Sequence, residues 1–339
     1  MKKRGKGIAA MFYPIGFTSY PNPGAAFIKV NQDGTAVLYV GAPDIGQGSD
    51  TIMAQIAAEE LGIGLDNVTV VAADTKLTPF DFGSVASRVT YIVGNAVQKA
   101  AAQAKQILLE VAAEDLKVSA TGLAAGQGYI YVQGFPEQRI EISAVAQKSY
   151  MVKGRPPIGA GSFQPVTTML DKETGHGKPY GTYVFAAQMA EVEVDTETGE
   201  VAILKITAVH DCGKAINPLL TEGQIEGGVA MGVGYGTMEE MVVNQGRVRN
   251  PQFTDYVIPT ALDVPEIVTE IVERPEPTGP FGAKGIGEPS LLPTAPAIVN
   301  AIQDAVGVRI RELPATPEKV LKAIQEREQH RASGDRAIR

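Results

Sequence analysis

Four times along this chain, near residues 48, 87, 223 and 288, a glycine- or serine-rich loop leads into a helix. That device limits the fold more than any other feature. Glycine reaches positive φ and lets backbone pass close to a neighbour. The first turn of a helix carries N–H groups with no partner inside the helix. A chain built this way must set several helix starts where something else can approach them. The device returns at no fixed period, so no repeat array is expected.

The runs between the loops name the other elements. Residues 27–30 and 35–40 flank Asn31-Gln32-Asp33-Gly34, which predicts a hairpin with Asp-Gly turn chemistry. Residues 185–194 and 201–211 bracket Thr196-Glu197-Thr198-Gly199 as another, and 129–132 with 139–142 form a third such pair. Residues 67–72, 253–258 and 268–272 read as further strands. Helices are predicted over about 50–61, with Ser49 as cap and Gly62 as stop, and over about 90–113. Others follow Asn217-Pro218 over 219–238, precede Gly307 over 295–306, and start at Thr316-Pro317. Residues 150–182 look like a long connection. Hairpins followed by helices give an α+β fold of two subdomains, with hairpins and loop-to-helix cradles, rather than a doubly wound parallel sheet. The expected limits are an N-terminal extension over 1–24 packed on a partner, a main domain over 25–320 divided near 145–185, and a charged, frayed tail over 327–339.

Composition removes several functions. Net charge is −8, which does not favour nucleic acid or an anionic membrane as partner. Cys212 is the single cysteine, and His176, His210 and His330 lie far apart, so no protein-built metal site is expected. A metal would have to arrive inside a cofactor. The basic start, Lys2 to Lys6, precedes an apolar run that Pro14 ends too early for a signal peptide. With no segment near the ~18 apolar residues of a membrane span, the expectation is a cytoplasmic protein.

In Phe281-Gly282-Ala283-Lys284-Gly285-Ile286-Gly287-Glu288-Pro289, three glycines surround one lysine and end at one acid. The spacing suggests Glu288 held against a bulky non-protein group, as a general base beside a cofactor with its own reactive centre. The plainer alternative is an acid that satisfies helix N–H groups. Gly46-Gln47-Gly48-Ser49 suits an anion at a helix start, and Gln47 offers an amide to a heterocycle edge. It reads equally as a capped turn. Thr51 stands where a dinucleotide fingerprint needs its third glycine, and no Walker lysine follows. The run from Gly83 to Thr90 offers two serine hydroxyls at a helix start, or simply a serine cap with a surface arginine. Gly223, Gly227, Gly228, Gly232 and Gly234 sit in one predicted helix, where each costs about 1 kcal/mol relative to alanine. That implies close packing against backbone or a ligand, with Gln224 as the polar residue placed to meet it. Cys212 is expected to be structural.

In order, the stretches GQGSDT…QIAAEELGI, DFGSVASRVTYIVGNAV, VHDCGKAINP…GQIEGGVAMGVG and GPFGAKGIGEPSLLPTAPAIVNAI resemble the second half of the molybdopterin-binding domain of the xanthine dehydrogenase family, over residues 25–320. The last stretch is the most diagnostic. The resemblance implies a molybdopterin, usually the cytosine dinucleotide in bacteria, whose molybdenum takes no protein ligand and carries a sulfido or, in a few members, a selenido group. It implies cofactor contacts from Gly46, Gln47, Gly48 and Ser49, from Gly83, Ser84, Val85, Ala86, Ser87, Arg88 and Thr90, from Gln224, and from Lys284, Gly285, Ile286 and Gly287. Glu288 matches the glutamate that activates the hydroxide on the metal. The implied reaction hydroxylates an electron-poor carbon with oxygen from water, and electrons leave through Fe–S clusters and FAD on partner subunits. Family members carry an earlier half with a Gly-Gly-Phe-Gly-type loop that this sequence lacks. A divided domain of the nicotinate dehydrogenase kind is therefore expected. Its partners would be a large molybdopterin subunit, an Fe–S subunit and an FAD subunit, and its substrate a nicotinate-like ring. Purine, aldehyde and carbon monoxide substrates stay open, as does a non-catalytic cofactor-binding or assembly role.

Overall fold

The computed structural model describes residues 1–18 and 20–332. Strand β1 (Lys2–Pro14) comes first, then the hairpin β2 (Gly24–Val30) and β3 (Ala36–Val40), helix α1 (Ser49–Leu61) and β4 (Val68–Ala72). A π-helical turn at Val89–Val93 leads into the long helix α2 (Gly94–Leu116). Next come β5 (Leu123–Gly126), β6 (Tyr129–Val132), β7 (Phe135–Glu141), α3 (Ile142–Met151) and β8 (Ile158–Phe163). The second half runs β9 (Tyr183–Asp195), β10 (Val201–Asp211), α4 (Pro218–Thr237), the short β11 (Val243–Asn244) and β12 (Arg247–Val248), β13 (Glu266–Val272), α5 (Thr294–Val306) and α6 (Pro317–Ala332). No helix among the described residues is long and apolar enough to cross a membrane.

The two four-stranded sheets share one plan. Their orders are β8-β2-β3-β4 and β1-β9-β10-β13. In each, a hairpin takes an antiparallel edge strand on one side and a parallel strand on the other. A parallel pair needs a crossover, and α1 and α4 supply it. A second helix, α2 or α5, follows the parallel strand. Each unit is thus β-β-α-β-α with one added edge strand. Unit one receives its edge strand afterwards, as β8, and unit two beforehand, as β1. A repeat of topology is present, though no fixed sequence period betrays it.

The edge strands explain how the helices seat. A Cβ on Gly161 of β8 would lie 2.1 Å from the Ala96 carbonyl oxygen of α2, and one on Gly7 of β1 would lie 2.1 Å from the Ala301 amide nitrogen of α5. Only hydrogen fits there, so each helix rests directly on strand backbone. Two apolar clusters result, one around α1 and α2, the other around β9, β10, α4 and α5.

Several expectations need correction. Residues 1–24, expected as an extension packed on a partner, contain β1, which pairs within this chain with β9 from Lys2↔Asp195 to Pro14↔Tyr183. The connection 150–182 contains β8. Residues 253–258 form no strand. Helix α6 continues to Ala332 where a frayed tail was expected, and 333–339 lie outside the described residues. Gly62 and Gly307 do end their helices in the left-handed conformation.

Candidate functional site

The loops after β3, β4, β10 and β13 line one cleft of about 570 Å³. Residues 47, 49, 84, 85, 87, 88, 90, 224 and 284–288 all reach it, whereas Gly46, Gly48, Gly83 and Ala86 do not.

In the first loop the side chains serve the loop itself. Gly46 and Gly48 turn it at φ 104° and 79°. Gly48, not Ser49, is the cap of α1. The Asp44 carboxylate accepts the N–H groups of Gly46 (2.8 Å) and Asp50 (3.2 Å), so a protein acid already occupies part of this helix start. Burial first, and then Asp44, push the Asp50 carboxyl above its ordinary range. Gln47 does not offer a free amide. Its Oε1 accepts from Ile45 N (2.6 Å), and its Nε2 donates to Pro43 O, Ser49 Oγ and Ser84 Oγ at 3.3, 3.0 and 3.2 Å. Gln47 ties the first loop to the second.

The second loop turns on Arg88, which is no surface arginine. Its side chain is fully buried. Its guanidinium pairs with Asp81 and donates to Asn22 Oδ1 (2.6 Å), Gly83 O (3.2 Å) and Pro23 O (2.9 Å). Every arm of the fork is engaged, so the side chain is an anchor for the loop, not a ready phosphate ligand. Above it Ala86 and Ser87 hold φ 51° and 50°, a left-handed pair that costs roughly 1–2 kcal/mol per residue without glycine.

In the third loop Asn217 caps α4 through Leu220 N (3.1 Å) and reaches Gln55 Oε1 (3.2 Å) on α1. The glycines of α4 divide their work. A Cβ on Gly228 or Gly232 would strike Ser290 or Thr294, so that face packs on protein, while Gly227 borders the cleft with open space beside it. Gln224 and Thr90 face the cleft, and their side chains have no hydrogen-bond partner among the described residues. Burial, helped by the Asp211 charge, pushes the Cys212 thiol up to about 11, which makes it an inert wall.

The fourth loop carries Glu288. On one side its glycines approach protein: a Cβ on Gly285 would lie 2.3 Å from Ser87 O. Lys284 is buried, with Nζ 2.7 Å from Asp211 Oδ2. It therefore braces the loop and is not a solvated lysine. The Ser87 hydroxyl donates to Glu288 Oε2 and accepts the Glu288 N–H at 3.2 Å. Tyr13, at the end of β1, was invisible to sequence reasoning. Its phenol is pushed up to about 12, first by burial and then by the negative charge of Glu288.

The cleft offers unpaired donors and apolar walls, a set that fits a cofactor with hydrogen-bond acceptors. No group of His, Cys, Asp or Glu among the described residues could hold a metal ion. The N–H groups of Gly285, Ile286 and Gly287 find no acceptor among the described residues and lie at the cleft. Ile45, Val85, Ile216 and Met231 supply apolar walls.

Known proteins resemble this chain in sequence and fold. Residues 1–265 match the family model described as a molybdopterin cofactor-binding domain. The xanthine dehydrogenase molybdenum-binding subunit of Escherichia coli O157:H7 is 36% identical over 327 residues, covering 94% of this chain and 42% of that subunit. The nicotine 6-hydroxylase large subunit of Paenarthrobacter nicotinovorans is 34% identical over 302 residues, covering 88% of this chain and 36% of that one. Quinoline 2-oxidoreductase from Pseudomonas putida 86 superposes with a TM-score of 0.87 at 28% identity, covering 96% of this chain and 42% of that one. The chain spans about two fifths of the length of these relatives.

Proposed function

This chain belongs to the molybdopterin cofactor-binding domains of the xanthine dehydrogenase family, and on that footing we propose that it forms the Glu288-bearing wall of the active site of a molybdenum hydroxylase. The observation that carries the reading is the convergence of four separate loops on one cleft, with a single carboxylate at its wall. The cofactor supplies the redox chemistry of a hydroxylation that takes its oxygen from water. This chain's residues bind and orient. The N–H groups of Gly285, Ile286 and Gly287, the Gln224 amide and the Thr90 hydroxyl hold polar edges of the cofactor. Ser49, Ser84 and Val85 would line the cleft beside it. Gln47, Arg88 and Lys284 keep those groups in place from behind. Glu288 accepts the proton released as the water oxygen attacks.

The cofactor form we favour is molybdopterin cytosine dinucleotide with a sulfido or selenido ligand. Polypeptide outside these 339 residues completes the site, as a large molybdopterin subunit, with Fe–S and FAD subunits to carry electrons away. Nicotine 6-hydroxylase and quinoline 2-oxidoreductase are named for N-heteroaromatic compounds. They support an N-heteroaromatic, nicotinate-like substrate, while other similar proteins are named for carbon monoxide and aldehydes.

The test is a native complex assayed for molybdenum, iron, flavin and selenium, with nicotinate and xanthine offered alongside a dye acceptor. Glu288→Gln should keep molybdenum and lower kcat by about 10²–10⁴-fold, the usual worth of a general base. Near-normal turnover by a fully loaded variant would remove Glu288 from this role.

A further inference from the structure

We propose that Ser87 is the positioning residue of Glu288, acting on its carboxylate rather than as a ligand of the cofactor. The inference rests on the reading of Glu288 as the base. One hydroxyl meets both ends of the glutamate: it donates to Oε2 and accepts the backbone N–H. That closes a ring around the side chain and restricts its rotamers. The hydroxyl has no competing duty, because the turn leading into α2 is capped by Arg88 with no side-chain cap bond.

The surroundings are built to hold Ser87 there. Its left-handed φ of 50° is unfavourable for serine and is kept by two fixtures. Arg88, the next residue, is locked by Asp81, Asn22 and two carbonyls. Gly285 lies flat on the Ser87 carbonyl, where any side chain would collide. Ser87 and Glu288 also hold matched places. Ala96 and Ala100 under Gly161 correspond to Ala297 and Ala301 under Gly7, and the same spacing, 201 positions, separates Ser87 from Glu288. The two units touch at equivalent turns, one bringing the acid and the other the hydroxyl that orients it. The nearby cations do not compete, since Lys284 is paired with Asp211 and Arg88 with Asp81. The Tyr13 phenol, raised first by burial and then by the charge of Glu288, stays protonated at neutral pH.

Ser87→Gly and Ser87→Ala in the assembled holoenzyme separate hydroxyl from backbone. Glycine relieves the left-handed strain, whereas alanine keeps it. Both should retain wild-type molybdenum content, hold KM within about twofold and lower kcat by about tenfold, the worth of one hydrogen bond to a charged group. Ser87→Gly should not lower the thermal midpoint. Placed in Glu288→Gln, it should cost nothing further in kcat, because residues acting through one another do not add. Molybdenum loss in Ser87→Gly, an unchanged kcat, or an additive loss in the double variant would each overturn the proposal. Glu288→Gln alone reports on the base, so failure of that reading stays distinct.

Discussion

Units one and two bury different chemistry at matched positions. Ala26 pairs with Gly161 in one sheet as Ala190 pairs with Gly7 in the other, which aligns β2 with β9. Two residues earlier unit one has Gly24 and unit two has Gln188. On the next strand Val40 pairs with Ala26 as Ile206 pairs with Ala190, and beyond that point β10 goes on to bury Ala208 and His210, where β3 has ended. Gln188 Nε2 donates to Ser290 O at 2.7 Å and lies 3.3 Å from His210 Nε2, while its Oε1 accepts from Thr294 Oγ1 at 2.7 Å. Those bonds grip both sides of the turn that follows Glu288. Unit one grips its corresponding turn with Arg88, from within the turn itself. A buried polar clamp is needed in both, because neither turn has regular backbone pairing. Placing the clamp in the sheet, as unit two does, leaves the turn's own side chain to face the cleft.

Equivalence of the seats can be broken directly. Gly7→Ala and Gly161→Ala each force Cβ to about the same distance from helix backbone. Each should cost about 3–4 kcal/mol in chemical unfolding, the upper end for overpacking that moves backbone. A difference above about 1 kcal/mol between them would show that the two helices are not seated alike. The polar substitution in unit two gives a smaller, pH-dependent signature. Burial lowers His210 to about 4 from an ordinary 6.5. A depressed base contributes stability that is whole above the unfolded value and fades as pH falls toward the folded one. Stability should therefore drop by about 2 kcal/mol between pH 7 and pH 5 through His210 alone. Thermal melts of His210→Gln over that window should lack this component, and an unchanged slope would assign it elsewhere.

Much of the fold could be read from residues. The Asp33-Gly34 turn, the Gly62 and Gly307 stops and the Asn217-Pro218 start fell where the structure has them. Strands β1 and β8 could not be, since Gly5-x-Gly7 and Gly159-x-Gly161 erase the β-branched pattern for the sake of helix seating. At the cleft, the loops were legible and the side-chain directions were not. A glutamine, arginine or lysine that braces its own loop looks the same in sequence as one that meets a ligand. Gln47, Arg88 and Lys284 bond within and between their loops while also lining the cleft. Tyr13 gave no signal, because its neighbour Glu288 lies at the other end of the chain.

The permuted edge strand also sets a clock. Unit one is contiguous from Gly24 to Phe163, whereas unit two joins strands far apart in sequence: Lys6 N–H bonds Asp304 Oδ2 across 298 positions. During synthesis β1 must wait, unpaired, until β9 and α5 have left the ribosome. Contacts so distant in sequence form slowly. Pulse-labelled hydrogen exchange on the refolding chain should protect amides of α2 before those of α5, and the reverse order would contradict it. The cleft lies on the seam between an early unit and a late one, so it is complete only once both units have folded.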